Sequence, residues 1–516
     1  MNRTKTITLE LLATGDGLSG RALDGDDARE FSGRLGLMHT IDELLAAAST
    51  SKEERMNPET MIRMPDAAAL RRLIGGTVIG PEEDGWDAER GAFNLNVNQQ
   101  PAMIAVPGSA EEVGAVVRYA GENGLRVAPQ RTGHNAEPLG PLADSILLKT
   151  SRLDRVQIDA GARRARVGAG ARWGDVVPQA SELGLAALHG STPDVSVAGY
   201  TLGGGMGWYA RKHGLAANHV TAIEVVTADA EIRTVSAMQE PELFWALRGG
   251  GGNFGVVTAL EFELFPIEEV YAGVLFFPFE RAEEALQGWL AWTADAPEEV
   301  TSVGRLLQFP PFEEIPEPVR GQSFAVIEAT FLGNEAAGAE LLAPLRALGP
   351  VMDTFAMVPP AGIAELHMDP RDPMPYATDH SLLGELPAQA IADFVAAAGP
   401  GSGSTLASVE LRHTGGALAR TGPGHGAVAT LPGSYAYFGV GLAADEVTSA
   451  KTADDLARVE AAVRPHRAGR YLNFTERPTA GESFFDRATA AHLGAVKDAY
   501  DPGRVFQANH EIGARR

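Results

Sequence analysis

Pro129-Gln130-Arg131-Thr132-Gly133-His134-Asn135 lies between two short apolar runs, residues 125–128 before it and 146–148 after it. That arrangement predicts a tight turn between two strands. Gly133 lets the backbone reverse where a side chain would clash. His134 then stands at the tip, where an imidazole can face a ligand. On its own, one histidine in a glycine turn is an ordinary surface residue. Its meaning depends on the rest of the chain.

A chain of 516 residues can bury more than one core, so two or three domains are expected. No apolar run is long enough to cross a bilayer. The first residues, Met1-Asn2-Arg3-Thr4-Lys5, lack the apolar stretch of a secretion signal. The absence of cysteine excludes disulfides, thiolate nucleophiles, iron–sulfur clusters and cysteine-based zinc sites. It suits a reducing compartment, and a cytoplasmic protein is expected. The net charge is -24, from 43 basic and 67 acidic residues. Such a surface repels phosphate backbones, so neither nucleic acid nor membrane is an expected partner. A local anion site built from backbone N–H groups remains open.

Residues 4–12 alternate apolar and polar, Gly15-Asp16-Gly17 reads as a turn, and a second strand is expected over 18–23. Residues 31–48 end in a helix, and 49–54 form a polar linker. Residues 1–55 are thus an appended module or an upstream extension. A short helix is expected over 66–74, with Trp86 and Phe93 anchoring an irregular stretch. Residues 103–106 form a strand, and Ser109 with Glu112 predicts a reciprocal capping box. The helix that follows buries Val113, Val116, Val117 and Ala120. Val156 and Ile158 pair with Val167 and Ala165. A helix carries Trp173, Val176, Val177 and Ala180 on one face. Residues 220–227, 232–235 and 256–265 are strands. After Pro266, longer strands alternate with longer helices, which predicts an α+β domain with an open antiparallel sheet and helices on one face. Residues 359–375 are a long, Pro-rich connection of the kind that walls a pocket.

Two further glycine-rich loops keep company with the first. Gly250-Gly251-Gly252-Asn253-Phe254-Gly255 matches the G-x-G-x-x-G pattern in letters only. A Rossmann loop follows a strand and opens a helix, whereas here a helix precedes and a strand follows. Gly203-Gly204-Gly205-Met206-Gly207 offers consecutive N–H groups for an anion nest, which could hold a pyrophosphate. No Walker lysine, no His-Glu-x-x-His and no nucleophile elbow is present, and no metal site is expected. Three glycine loops joined by strands point to a large cofactor laid along backbone.

These motifs together resemble a known family. Arg131-Thr132-Gly133-His134-Asn135, Gly199-Tyr200-Thr201-Leu202-Gly203-Gly204-Gly205-Met206-Gly207-Trp208 and Arg248-Gly249-Gly250-Gly251-Gly252-Asn253-Phe254-Gly255-Val256-Val257 are similar to the FAD-linked oxidases of the vanillyl-alcohol-oxidase/p-cresol-methylhydroxylase superfamily. Tyr471-Leu472-Asn473-Phe474 and Asp501-Pro502-Gly503-Arg504-Val505-Phe506-Gln507-Ala508-Asn509 resemble the closing segment of the berberine-bridge-enzyme-like branch, of bacterial type. The resemblance implies an α+β fold with a two-subdomain, PCMH-type FAD-binding domain over 75–268. It implies a substrate domain over 269–454 and a C-terminal segment, 455–516, that completes the FAD domain.

On the same resemblance, Arg131, Thr132, Gly133, His134, Asn135, Thr192, Val195, Val197, Gly199, Tyr200, Gly203, Gly204, Gly205, Gly207, Trp208, Gly252, Asn253, Phe254, Gly255, Val257, Asn473 and Asn509 are expected to bind FAD. His134 falls where relatives bond imidazole to the flavin 8α-methyl. Such a bond withdraws electrons from the ring and raises its reduction potential. Many relatives add a second attachment through Cys, but Thr192 occupies that place in Gly190-Ser191-Thr192-Pro193, so a single histidyl link remains. Val195 stands where relatives tune oxygen access, and a small residue there resembles the oxidases. Tyr471 is the expected catalytic base, and Arg412 and His413 are expected either to bind substrate or to lower its pKa. One of that pair can be purely structural, because alternate strand residues face opposite sides.

The implied activity is that of an FAD-dependent oxidase. A carbon bearing a hydroxyl or amine in a carbohydrate or specialised metabolite would lose a hydride, and molecular oxygen would yield hydrogen peroxide. Two alternatives stay open: an FAD dehydrogenase with another acceptor, and a non-catalytic flavin-binding protein.

Overall fold

The two apolar runs that flank His134 are strands, but they run parallel. Arg126–Gln130 pairs with Ser145–Lys149, with Val127 beside Ile146. Parallel neighbours cannot be joined by a tight turn, because the chain must return to the end it started from. Residues 131–144 make that return through the 3-10 turn Glu137–Leu139. The expected tight turn is therefore a crossover loop. His134 sits on it just beyond the carboxyl end of Arg126–Gln130, where parallel sheets place ligands.

The computed structural model describes the strands Thr8–Thr14, Gly17–Asp24 and Asp27–Ser32, and then residues 66–513 except 314 and 316. The chain divides into two units, Met1–Met64 and Pro65–Arg516. The first unit holds an antiparallel meander of those three strands. The helix expected to end near residue 48 lies outside the described residues.

In the second unit, Arg126–Gln130 and Ser145–Lys149 belong to a four-stranded sheet with Met103–Val106 and Thr77–Ile79. Helix Ala110–Glu122 packs Val113, Val116, Val117 and Ala120 on it, as the three-and-four spacing requires. Only half of the expected capping box forms. Ser109 Oγ accepts from the Glu112 N–H, but the Glu112 carboxylate reaches the N–H groups of Gly75 and Gly108 instead. The carboxylate staples a neighbouring turn to the helix start, which a local sequence pattern cannot reveal.

A second, antiparallel sheet runs Ile232–Ser236, Val220–Val226, Val256–Glu263, Arg164–Gly168, Val156–Asp159. The expected pairing of Val156 and Ile158 with Ala165 and Val167 is present, in the register Val156 beside Val167 and Ile158 beside Ala165. Helix Trp173–Ser181 covers this sheet.

The third sheet has nine strands, all antiparallel where paired. Its two faces differ sharply. Leu306, Ile327, Val409 and Leu411 pack under helices Ala282–Thr293, Ala388–Ala398 and Glu446–Val463. The alternate residues Arg305, Glu328 and Glu410 are buried charges. Strands Val300–Gln308 and Tyr376–Leu383 were not foreseen. Their polar residues break an apolar signal that a strand buried on both faces normally gives.

The C-terminal helix Arg487–Tyr500 leads back to the first sheet, where Phe506 bridges Val127. Among the described residues no helix is long and apolar enough to cross a membrane.

Candidate functional site

His134 is fixed on three sides. Its ring stacks on Phe93 with centroids 3.8 Å apart and planes 15° from parallel. Nδ1 lies 2.8 Å from Thr132 Oγ1, and Nε2 lies 3.2 Å from Asp194 Oδ2. The Tyr376 hydroxyl donates to the His134 carbonyl. Gly133 has φ +79, and a Cβ there would meet Gln130 and Ala92 below 3 Å. Protein packing therefore demands glycine at this position. Burial raises the Asp194 carboxyl, but the neighbouring His134 and the Thr192 hydroxyl outweigh it and hold it below its usual range.

Asn135 ties this loop to the C-terminal segment. Its amide donates to the carbonyls of Leu472 and Thr475, and its own carbonyl accepts from the Asn509 amide. Arg131 Nε donates to the Gly170 carbonyl.

The glycine tract 203–207 spends part of its donors on the protein itself. Gly204 gives its N–H to the Thr201 carbonyl and Gly205 gives its own to the Tyr471 hydroxyl oxygen. Those two donors are therefore not free for an anion, whereas no acceptor is found for the Gly207 N–H among the described residues. Unpaired donors occur also on the loops that flank His134. The N–H groups of Gly133, His134, Asn135, Ser191 and Thr192 have no acceptor among the described residues. Buried polar atoms without a partner collect in the same region: Gln130 Oε1, Asn135 Oδ1, Tyr200 hydroxyl and Thr201 Oγ1. Buried polar groups are normally satisfied, so this set fits a large polar cofactor.

Around the tract, Val197 and Leu202 of helix Val197–Leu202 enter the core, with Gly199 N–H on the Ser196 cap. Tyr200 sets its ring edge-on to Trp173. Trp208 is buried against the His367 ring, at 6.0 Å. Val195 packs partly buried on the core of the second sheet.

The third loop is used differently from expectation. Asn253 donates to the carbonyls of Gly250 and His510 and accepts from the Ile512 N–H. Phe254 and Val257 are core residues, and a Cβ on Gly255 would meet Val225. Only Gly252 has open space beside it. This loop clamps the C-terminal segment.

Tyr471 is buried and held at both ends. Its N–H donates to His380 Nε2 at 3.1 Å, while His380 Nδ1 faces the Tyr437 carbonyl. Burial pushes His380 down to about 3, so the ring is neutral and Nε2 accepts. The Tyr471 hydroxyl oxygen accepts from Gly205 N–H at 2.8 Å and from the Asn473 amide at 3.0 Å. Its own hydrogen has no acceptor among the described residues. Burial raises this phenol well above its ordinary value, against the hydrogen bonds from Gly205, Met206 and Asn473 and the field of Arg412.

Arg412 and His413 both line a hollow of ≈ 330 Å³ with Ser191, Met206, Gly207 and Trp208. Their side chains part company, as alternation requires. The Arg412 guanidinium lies over the Phe474 ring at 5.0 Å and pairs with Glu410 at 2.6 Å. The His413 ring stacks on Tyr435, toward the helices, and burial followed by the field of Arg211 pushes it down to about 3. Arg412 and Tyr471 both lie against the Phe474 ring.

Sequence reasoning missed the group behind Arg412. His367 is clamped between Glu328 on Nδ1 and Glu410 on Nε2, the latter at 2.8 Å, and Arg305 closes the ring on Glu328 at 2.8 Å. Both ring nitrogens face carboxylates, so the imidazole is charged. Burial and Arg305 lower its pKa, yet Glu328, Asp369 and Glu410 prevail and raise it to about 9. A charged residue flanked by apolar neighbours, as in Ile327-Glu328-Ala329 and Val409-Glu410-Leu411, was the available signal.

Comparison with known proteins places similar sequences and folds beside this one. Residues 101–236 match the FAD binding domain family. The fold is that of solved PCMH-type, berberine-bridge-like structures. (R)-6-hydroxynicotine oxidase of Paenarthrobacter nicotinovorans is 36% identical over 234 residues, 45% of this chain and 51% of that protein. The crystal structure of 6-hydroxy-D-nicotine oxidase from Arthrobacter nicotinovorans superposes with TM-score 0.74 at 27% identity, over 86% of this chain and 98% of that one. Glucooligosaccharide oxidase of Sarocladium strictum is 38% identical over 37% of this chain and 38% of its own length. The fold is shared with BBE-like 1 of Physcomitrella patens, with TM-score 0.75 at 20% identity over 89% and 100% of the two chains. In sequence, this chain matches about half or less of the length of these curated relatives.

Proposed function

We propose that this chain is an FAD-dependent oxidase that removes a hydride from a carbon bearing a hydroxyl or an amine. Its substrate is a carbohydrate or a specialised metabolite, and dioxygen is the acceptor, giving hydrogen peroxide. The two relatives named above, an oxidase of a hydroxynicotine and one of glucooligosaccharides, span those substrate chemistries. In this reading residues 75–268 and 455–516 bind the cofactor and 269–454 bind the substrate. A cytoplasmic location belongs to the same proposal and is tested by cell fractionation.

FAD, when bound, supplies a two-electron acceptor that dioxygen can reoxidise. The loops at 131–135 and 190–195 hold it with their unpaired N–H groups, and His134 tethers it. The observation that carries the reading is the Tyr471 oxygen. Two N–H donors converge on it, its own proton has no acceptor among the described residues, and Arg412 stands on the same side. Donors aimed at an oxygen stabilise the charge it develops as its proton leaves. Tyr471 is thus the base for the substrate hydroxyl or amine, once its proton has been drawn off, and Arg412 is the positive charge that favours that state.

The test is anaerobic mixing of the purified, yellow protein with panels of sugars and secondary amines, followed by admission of oxygen. A substrate should bleach the flavin, and oxygen should restore the colour within the turnover time while peroxide appears. Bleaching with slow recovery in oxygen would make the protein a dehydrogenase.

A further inference from the structure

We propose that Asp194 is a positioning residue for flavin attachment: it fixes the tautomer of His134 so that Nδ1 is the nucleophile, and Thr192 props its carboxylate. The inference rests on the reading of His134 as the tether. Asp194 Oδ2 is buried without a hydrogen-bond donor and lies 3.2 Å from His134 Nε2; a carboxylate only accepts, so this neighbour favours the tautomer with the hydrogen on Nε2 and the lone pair on Nδ1. Thr132 Oγ1, 2.8 Å from Nδ1, is a hydroxyl that can donate to that lone pair and swing away. Phe93, stacked at 3.8 Å, holds the ring plane. The other Asp194 oxygen accepts from the Thr192 hydroxyl.

Thr192 occupies the place of the second, cysteinyl link of relatives. A glucooligosaccharide oxidase structure of the same fold, 24% identical, is described as carrying 6-S-cysteinyl, 8α-N1-histidyl FAD. In this chain that position has become the support of the carboxylate that serves the remaining link. The arrangement has the logic of a carboxylate that orients a reactive imidazole and receives its charge.

The chemistry balances with dioxygen as oxidant. His134 Nδ1 forms a bond to the 8α-carbon, which loses one C–H proton. The Nε2 proton passes to Asp194 and on to solvent. The two electrons released reduce one dioxygen, which takes up two protons to give hydrogen peroxide.

The experiment follows covalent attachment rather than turnover. Full-length wild type, Asp194→Asn, Asp194→Glu and Thr192→Val are incubated with FAD, and the flavin that stays with acid-precipitated protein is measured against time. Digestion then identifies the linked nitrogen from the aminoacyl-flavin. Wild type should retain flavin through Nδ1. Asp194→Asn should still bind FAD but attach it at least about tenfold more slowly. Asp194→Glu should recover part of the rate, which a merely structural role would not predict, and Thr192→Val should fall between. Attachment at the wild-type rate in Asp194→Asn, or linkage through Nε2, overturns the proposal. If Asp194→Asn does not fold, an unchanged rate in Thr192→Val overturns it. Wild-type flavin released wholly into the supernatant removes the tether itself, a different failure from loss of the Asp194 role alone.

Discussion

The Gly205 backbone N–H meets the Tyr471 hydroxyl oxygen at 2.8 Å, so residues 266 positions apart are joined at the centre of the candidate site. The glycine is required for that meeting. Gly205 has φ +80, and a Cβ there would lie 2.5 Å from the Tyr200 ring and 2.8 Å from Ala216. Tyr200 also receives the Asn473 amide on its carbonyl, so the tract, Tyr200 and the Tyr471 segment form one unit.

Gly205→Ala should therefore be costly. Overpacking costs about 1–3 kcal/mol, and a left-handed backbone adds about 1–2 kcal/mol for a residue with a Cβ. Gly252→Ala is the control, because Gly252 has φ -80 and nothing within 4 Å of its added Cβ. Urea unfolding of the two variants should show a clear loss for the first and little change for the second. Equal midpoints would mean that the tract yields easily around Tyr200.

Tyr471→Phe keeps the buried ring and removes the oxygen. The Gly205 N–H and the Asn473 amide then lose an acceptor, at a cost on the order of 1–3 kcal/mol. If the phenol is the base, turnover should fall by roughly 10²- to 10⁴-fold while the flavin-to-protein ratio stays at the wild-type value. Activity within a few-fold of wild type would assign the proton transfer to another group.

Much of this was legible in the chain, and the reasons for the rest are physical. The His134 loop, the hairpin of Val156 with Val167 and the helix-covered antiparallel sheet follow from periodicity and turn chemistry. Whether Arg126–Gln130 and Ser145–Lys149 run parallel or antiparallel does not, because both arrangements accept the same apolar runs. The glycines at 203–207 are visible, but their use is not: Tyr471 and Asn473 must first fold back onto them. Asp194 and His367 were missed because each gains its role from a partner far away in sequence, His134 and Glu410. Arg412 and His413 were adjacent candidates, and only the strand's pleat separates them.

The buried charge cluster makes stability depend on pH. His367 is raised to about 9 in the folded chain, above the ordinary histidine value, so folding favours its protonated form. Its contribution is whole below the ordinary value near ~6.5 and is lost as pH rises through about 9. Unfolding free energy should decline over that window in wild type, and His367→Gln should remove that part of the slope. The variant should also be less stable at neutral pH, by up to about 3–5 kcal/mol, since Glu328 and Glu410 keep Arg305 and Arg412 but lose the cation between them. A slope unchanged in the variant would place the titrating group elsewhere.

Asp501 governs how the C-terminal segment reaches the site. It is fully buried, and Lys497 Nζ sits 2.5 Å from its Oδ2 while also donating to the Asn253 carbonyl at 2.6 Å. The same carboxylate accepts from the N–H groups of Val505 and Phe506, and Phe506 bridges Val127 in the strand that leads to His134. Asp501→Ala strands a buried ammonium, which costs about 3–5 kcal/mol. Because the lost contacts hold the Phe506 to Asn509 stretch against the His134 loop, flavin occupancy should fall together with stability. Pairing Asp501→Leu with Lys497→Met removes both charges and should recover a large share of the stability. It should recover less of the flavin content, since the N–H groups of Val505 and Phe506 still lack their acceptor. Flavin occupancy and unfolding midpoint, measured side by side, separate the two effects. An Asp501→Ala chain with wild-type midpoint and full flavin would mean that the segment is held by its other contacts, those of Arg126, Gln507, Asn253 and Asn509.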